Sequence, residues 1–145
     1  MRWLVALLVA VFVTGCYGGS AGPTPGDMVD VLGELSAHGA TMTDTVAGDA
    51  GCADQTLVDN ARRLAVSYAP DDQTYTIYLF RWLNNRDYGE AASAFSGCVA
   101  AYGQAHPNAT IQTVDVSPWR AFGSAWSPQL RDAVAQALTA ATNGK

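Results

Sequence analysis

The feature that most constrains the fold of this 145-residue chain is the run at residues 74–82, TYTIYLFRW. Side chains alternate between the two faces of a β-strand. Large apolar side chains then fall on both faces, with Tyr75, Ile77 and Leu79 on one and Tyr78, Phe80 and Trp82 on the other. A strand that is apolar on both faces has to be covered on both sides, at least in part. We therefore expect a central strand in a sheet that is packed by helices.

Alternation with period two marks three further strands. Residues 40–47 alternate threonines with Met42, Asp44 and Val46, residues 64–68 alternate again, and so do residues 110–116. The turn sequence PDDQ at residues 70–73 joins two of these runs and predicts a hairpin over residues 64–82. Residues 118–126, PWRAFGSAW, show no clear period, and we expect them to be irregular.

The first helix is predicted from its end signals. Thr24 can cap it, Pro25 fits the first helical position, and Asp27 suits the first turn because the helix dipole favours a negative charge there. Gly39 is expected to end it in a left-handed conformation.

Two later helices carry similar signals. Asn84 or Asn85 is expected to cap one long helix that runs to about Tyr102, with a stripe of apolar side chains at spacings of three and four. Ser127 is expected to cap the last helix and Pro128 to open it.

These elements predict an α+β fold in which an antiparallel sheet is packed by helices. One point stays open, namely whether residues 54–63 form a short helix. If they do, the middle of the chain has the β-α-β-β-α-β order of ferredoxin-like folds, with an extra helix at each end. If they do not, the fold is a plain antiparallel α+β sandwich.

The chain has three cysteines, of which we expect two to pair and one to remain single. Cys52 and Cys98 are expected to form a disulfide, which would join residues 46 apart in the sequence and stabilise the domain by about 4 kcal/mol. The alternative is two reduced, buried thiols. A disulfide would imply an oxidising compartment, and Cys16 would then have no cysteine partner within the chain.

Residues 1–15 have the layout of a signal peptide, with one cation, Arg2, followed by an uncharged apolar stretch at residues 3–13. This stretch is too short to cross a bilayer as a helix, which takes roughly 20 residues. Its end, Val13-Thr14-Gly15-Cys16, resembles the lipobox of bacterial lipoproteins.

That resemblance implies that Cys16 carries lipid, such as palmitate, and that residues 1–15 are removed. Residues 16–24 would then be the lipidated cysteine and a flexible tether rich in glycine, serine and proline, and residues 25–145 a single globular domain. The expected location is extracytoplasmic, anchored to the cell membrane or the outer membrane. The leader and the alanine and glycine content resemble those of small lipoproteins of high-GC bacteria, a likeness that transfers no functional residue. An ordinary secreted protein is the alternative.

The charge of the chain excludes one class of partner. Without Arg2 the chain has 7 Lys and Arg against 13 Asp and Glu, a formal charge of −6. Such a surface repels phosphate backbones, so we expect no nucleic-acid binding, and the membrane contact has to come from the lipid.

The sequence contains no catalytic signature. His38 is expected at a helix C-terminus and His106 in a loop, and neither has ligand-like spacing to the cysteines. Asp44, Asp49 and Asp54 recur every five residues but match no calcium loop. We therefore expect no metal, no cofactor and no catalytic residue, which points away from an enzyme.

Aromatic side chains beside an arginine make residues 118–126 the candidate binding surface. The residues are Trp119, Arg120, Phe122 and Trp126. The alternative is that these rings close the sheet edge and the core. The expected function is a binding module for an envelope protein or a small ligand. The alternatives are an envelope hydrolase that uses carboxylates and a structural protein.

Arg81 interrupts an apolar face of the central strand. A buried charge has a high desolvation cost unless it is paired. We therefore expect Arg81 either to find an acidic partner, with Asp87 as the nearest candidate in the sequence, or to lie at the end of the strand.

Overall fold

A computed structural model describes residues 26–143 of the protein. The predictions for the leader, for the lipobox at Cys16, for the tether and for Thr24 and Pro25 at the first helix lie outside these residues. Five strands form one sheet: β1 (Ala40–Ala47), β2 (Ala61–Tyr68), β3 (Gln73–Arg81), β4 (Ile111–Val116) and β5 (Trp119–Ser124). Their order is β1-β2-β3-β5-β4, and every neighbouring pair is antiparallel.

Helices cover both faces of this sheet. They are α1 (Met28–Ala37), α2 (Asn85–Glu90), α3 (Ala92–Ala105) and α4 (Pro128–Asn143), together with a 3-10 helix at Gln55–Asn60. One apolar core lies between the sheet and helices α1 and α4, and a second lies between the sheet, α3 and the 3-10 helix. The predicted α+β fold with an antiparallel sheet packed by helices is confirmed.

Strand β3 separates the two cores as its sequence predicts. Ile77 and Leu79 are buried in the core under α1 and α4, and Phe80 and Trp82 are buried in the core under α3. The segment at residues 54–63 forms only the short 3-10 helix before β2 begins. Because β1 and β2 are direct neighbours, with no strand between them as a ferredoxin-like split β-α-β unit requires, the topology is that of the plain antiparallel sandwich.

Two helix boundaries differ from the sequence expectation. Asp27 is not in the first turn of α1 but is its N-cap, and it forms a capping box with Asp30, so the helix begins at Met28. The long helix expected from Asn84 is divided at Ala91, a turn residue that ends α2 and precedes α3.

Other end signals are confirmed. Gly39 follows α1 with a φ of 90°, the left-handed conformation that favours glycine. Ser127 caps α4, since its Oγ accepts a hydrogen bond from the backbone N–H of Leu130 at 3.1 Å, and Pro128 opens that helix. The predicted bounds of β1 agree with the structure.

The segment expected to be irregular is a strand, and this expectation was wrong. Strand β5 lies between β3 and β4, and all its residues except Ser124 are buried. A strand covered on both faces shows no alternation of polar and apolar residues, so its period is hidden. Small residues such as Ala121 and Gly123 between the large side chains hide it further.

Gly123 has no room for a side chain. A Cβ at this position would overlap the buried indole of Trp126 and the backbone carbonyl of Thr76. The indole Nε1 of Trp126 donates a hydrogen bond to that same carbonyl at 2.9 Å. The close approach of β5 to β3 therefore requires glycine here.

We predict that Gly123→Ala lowers the free energy of unfolding by about 3 kcal/mol, because the added methyl group forces the indole or the strand to move. Gly97→Ala is the matched control, since a Cβ at Gly97 on α3 would meet nothing within 4 Å. The control is expected to raise stability by up to about 1 kcal/mol. Urea unfolding of both variants checks this, and equal stability of the two would contradict it.

Candidate functional site

The four residues of the predicted binding patch are buried. The exposed fractions are 0% for Trp119 and Phe122, 3% for Trp126 and 5% for Arg120. They also divide between the two cores, with the tryptophans under α1 and α4 and Phe122 under α3. As a correction to the sequence expectation, these side chains form no exposed surface, because β5 is a central strand. They close the core.

Arg120 is held by contacts within the protein. Its Nε lies 3.2 Å from Asp115 Oδ2, and its Nη1 donates a hydrogen bond to the carbonyl oxygen of Tyr88 at 2.9 Å. Its guanidinium carbon lies 3.8 Å from the ring centroid of Tyr88, and 5.3 and 5.5 Å from those of Trp82 and Phe95. These contacts compensate for its burial and give the residue a structural role.

The acidic residues considered as cation ligands have other partners. Arg63 binds Asp49 at 2.9 Å and Asp44 at 3.2 Å, and the hydrogen bond to Asp49 raises the pKa of Arg63. Asp54 caps the 3-10 helix, where hydrogen bonds from Thr56 lower its pKa. Among residues 26–143, no three His, Cys, Asp or Glu side chains converge as a metal site would require.

The two histidines end helices. His38 is the C-cap of α1, as predicted. His106 is the C-cap of α3, where its Nδ1 lies 2.9 Å from the carbonyl oxygen of Tyr102 and its ring stacks on that tyrosine. Both positions have a structural explanation.

Cys52 and Cys98 form the predicted disulfide, with their Cα atoms 5.4 Å apart. It joins α3 to the loop at residues 48–52, which leads into the 3-10 helix. The bond therefore fixes one helical layer to the sheet.

A cavity of about 630 Å³ opens where β1 and β3 end and β2 begins. Its walls come from the first residue of α1, from the 3-10 helix and from the ends of the three strands. The residues that line it are Met28, Ala47, Gly48, Val58, Asp59, Asn60, Ala61, Arg62, Arg81 and Leu83.

The strand register explains why two arginines meet in this cavity. Ala47 lies opposite Arg62, and Arg62 lies opposite Leu79, so all three side chains share the sheet face under α1 and α4. Arg81 is two residues beyond Leu79 and points to the same face. The two arginines are therefore diagonal cross-strand neighbours, with Cβ atoms roughly 7 Å apart.

Neither arginine has a carboxylate partner among the described residues. The Asp87 carboxylate, expected to pair with Arg81, instead accepts a hydrogen bond from Asn84 at 2.8 Å. The guanidinium of Arg81 lies 5.3 Å from the ring centroid of Trp119, and its Nε is buried without a hydrogen-bond acceptor. The predicted pairing is wrong because Asn84, the N-cap of α2, binds the Asp87 carboxylate. The other expectation is confirmed, since Arg81 is the last residue of β3.

An exposed leucine stands beside the cavity. Leu83 is 85% exposed, and Val29, which follows the cavity residue Met28, is 72% exposed. Exposed apolar residues of this size are common singly, but Leu83 also belongs to the cavity wall. The cavity thus combines cationic groups with apolar ones.

No known protein family, characterised protein or solved structure matches this chain. Between residues 26 and 143 no helix has the length and apolar character that crossing a membrane requires. Sequence reasoning missed Arg62 and Leu83 and found only one signal for the site, the interruption of an apolar strand face by Arg81.

We predict that Arg120→Met lowers the free energy of unfolding by about 2–4 kcal/mol, because it leaves the Tyr88 carbonyl without its donor and removes the contacts with the rings. Arg86→Met is the matched control. Arg86 is exposed and binds Glu90 one helical turn away, so its loss is expected to cost at most about 0.5 kcal/mol. Thermal and urea unfolding distinguish the two, and similar losses would contradict a structural role for Arg120.

Proposed function

We propose that this protein is a lipid-anchored extracytoplasmic binding module. In this proposal Cys16 carries the lipid, residues 16–24 form the tether, and the cavity that contains Arg62 and Arg81 takes the ligand. The single observation that carries the proposal is the disulfide between Cys52 and Cys98.

The disulfide supports an oxidising compartment, since such bonds are rare in the cytosol. It also uses two of the three cysteines, which leaves Cys16 for another purpose. Cys16 follows an apolar stretch and closes the lipobox-like Val13-Thr14-Gly15-Cys16. The two observations are independent, and both favour export.

The position of Gly26 supports a link between the tether and the cavity. Its backbone N–H donates to the carbonyl oxygen of Ala141 on α4, which fixes the point where the domain begins. Met28, two residues later, lines the cavity. A coil of the tether's length reaches roughly 15–20 Å, so an anchor at Cys16 would hold the cavity near the membrane.

The alternative of an envelope hydrolase that uses carboxylates requires two acids that converge on one substrate. The cavity wall contains one carboxylate, that of Asp59. The arginines and apolar residues around it favour binding. A secreted structural protein, the other alternative, is distinguished by the modification of Cys16.

We predict that the mature protein begins at an acylated Cys16 and enters the detergent phase when membranes are extracted. Cys16→Ser removes the thiol to which the lipid is attached, so the variant should lack the added mass. Ser20→Ala in the tether is the control and should keep it. Mass spectrometry of the native N-terminal peptide checks this, and an unprocessed N-terminus or a free thiol at position 16 would overturn the lipid anchor.

A further inference from the structure

The arginines of this acidic protein differ in whether they form an ion pair with a carboxylate. Six lie within the described residues. Arg63, Arg86 and Arg120 each form an ion pair with a carboxylate. Of the remaining three, Arg62 and Arg81 line the same cavity. Two unpaired cations are thus placed together although the chain has a large excess of carboxylates.

The local charge of the cavity is positive. Its wall contains two guanidinium groups and one carboxylate, that of Asp59, and neither arginine forms an ion pair with it. Like charges on neighbouring strands repel each other. An anion bound between Arg62 and Arg81 would remove this repulsion.

Arg81 is held in place before any ligand binds. Its guanidinium lies over the ring of Trp119, which is itself completely buried. Stacking on an aromatic ring leaves the edge of a guanidinium free to donate hydrogen bonds. Within residues 26–143 the Nε of Arg81 is buried without a hydrogen-bond acceptor.

We propose that the cavity binds a phosphate group, held by the guanidinium groups of Arg62 and Arg81. Each guanidinium presents paired N–H donors that match two oxygens of a phosphate, and two such groups can bind a doubly charged phosphate monoester. This inference names the chemistry of the ligand of the proposed binding module, and it rests on that proposed binding function.

The remaining space indicates that the ligand is larger than phosphate. A cavity of about 630 Å³ is in the range of sites for small organic molecules. Met28, Val58 and Leu83 give it apolar walls, which suit the carbon part of a phosphate ester. Such an ester is either a soluble metabolite or the headgroup end of a lipid, and the phosphate contact is common to both.

The test uses the full-length Cys16→Ser chain in detergent, so that binding is measured without any attached lipid. The probes are inorganic phosphate, glycerol phosphate, and phosphatidic acid added to the micelles, with diacylglycerol and acetate as controls. Titration calorimetry and ³¹P NMR measure the affinities. Failure of acylation at Cys16 would leave this experiment unaffected, and an acylated protein that binds no phosphate would overturn this inference alone.

Arg62→Gln and Arg81→Gln are each expected to weaken phosphate binding by about tenfold or more, since each removes charged hydrogen bonds. Arg81→Lys keeps the charge but loses the paired donors, so its affinity for phosphate should lie between that of the unsubstituted protein and that of Arg81→Gln. Arg131→Gln is the control, because Arg131 is exposed on α4 and lies outside the cavity wall. Unfolding of each variant is measured in parallel to exclude misfolding as the cause.

The pattern across the probes decides the source of the phosphate. Tighter binding of phosphatidic acid than of glycerol phosphate would support a lipid, and equal binding would support a soluble ester. No binding by any phosphate probe, equal binding of acetate, or the same loss in Arg131→Gln would overturn the phosphate site.

Discussion

The burial of β3 and β5 on both faces is the constraint on which the rest of the structure depends. These neighbouring strands contribute Ile77, Leu79 and Trp119 to one core and Phe80 and Phe122 to the other, and the sheet is stable only when helices cover each side. Helices α1 and α4 come from the two ends of the described chain and form one layer, in contact with each other. The other layer is thinner, because α3 is rich in alanine and glycine and contributes few large side chains.

Because the layer that contains α3 has few large side chains, the disulfide is important for its stability. Helix α3 buries Phe95, Cys98 and Tyr102, which pack on an aromatic cluster that includes Phe80 and Phe122. The link from Cys98 to Cys52 restricts the unfolded chain and so stabilises the folded one. This stabilisation compensates for the modest apolar area that α3 buries. In the oxidising compartment that we propose, this bond would persist and add to the stability of a small core.

Sequence patterns predicted those elements whose signals are local. The sequence of β1 alternates, although a bulge between Met42 and Asp44 shifts its register in the sheet. Strand β3 is apolar on both faces, and the Ser127-Pro128 pair marks the start of α4. Strand β5 was missed because its burial, which depends on both neighbouring strands, removes alternation from its sequence. The prediction of an exposed binding patch at Trp119 and Trp126 was wrong for the same reason. A cluster of aromatic residues indicates a surface or a core equally well until the strand order is known.

The cavity could not be predicted because it depends on register. Arg62 and Arg81 are 19 positions apart in the sequence, and only the β2–β3 hairpin pairing makes them diagonal neighbours on one face. At the same point the two arginines line a cavity together with Met28, the first residue of α1. A buried or half-buried arginine normally acquires a carboxylate, as Arg63 and Arg120 do. Where the fold leaves two such groups without one, we propose that the missing partner comes from outside the chain, which would place the binding site where β1 and β3 end and β2 begins.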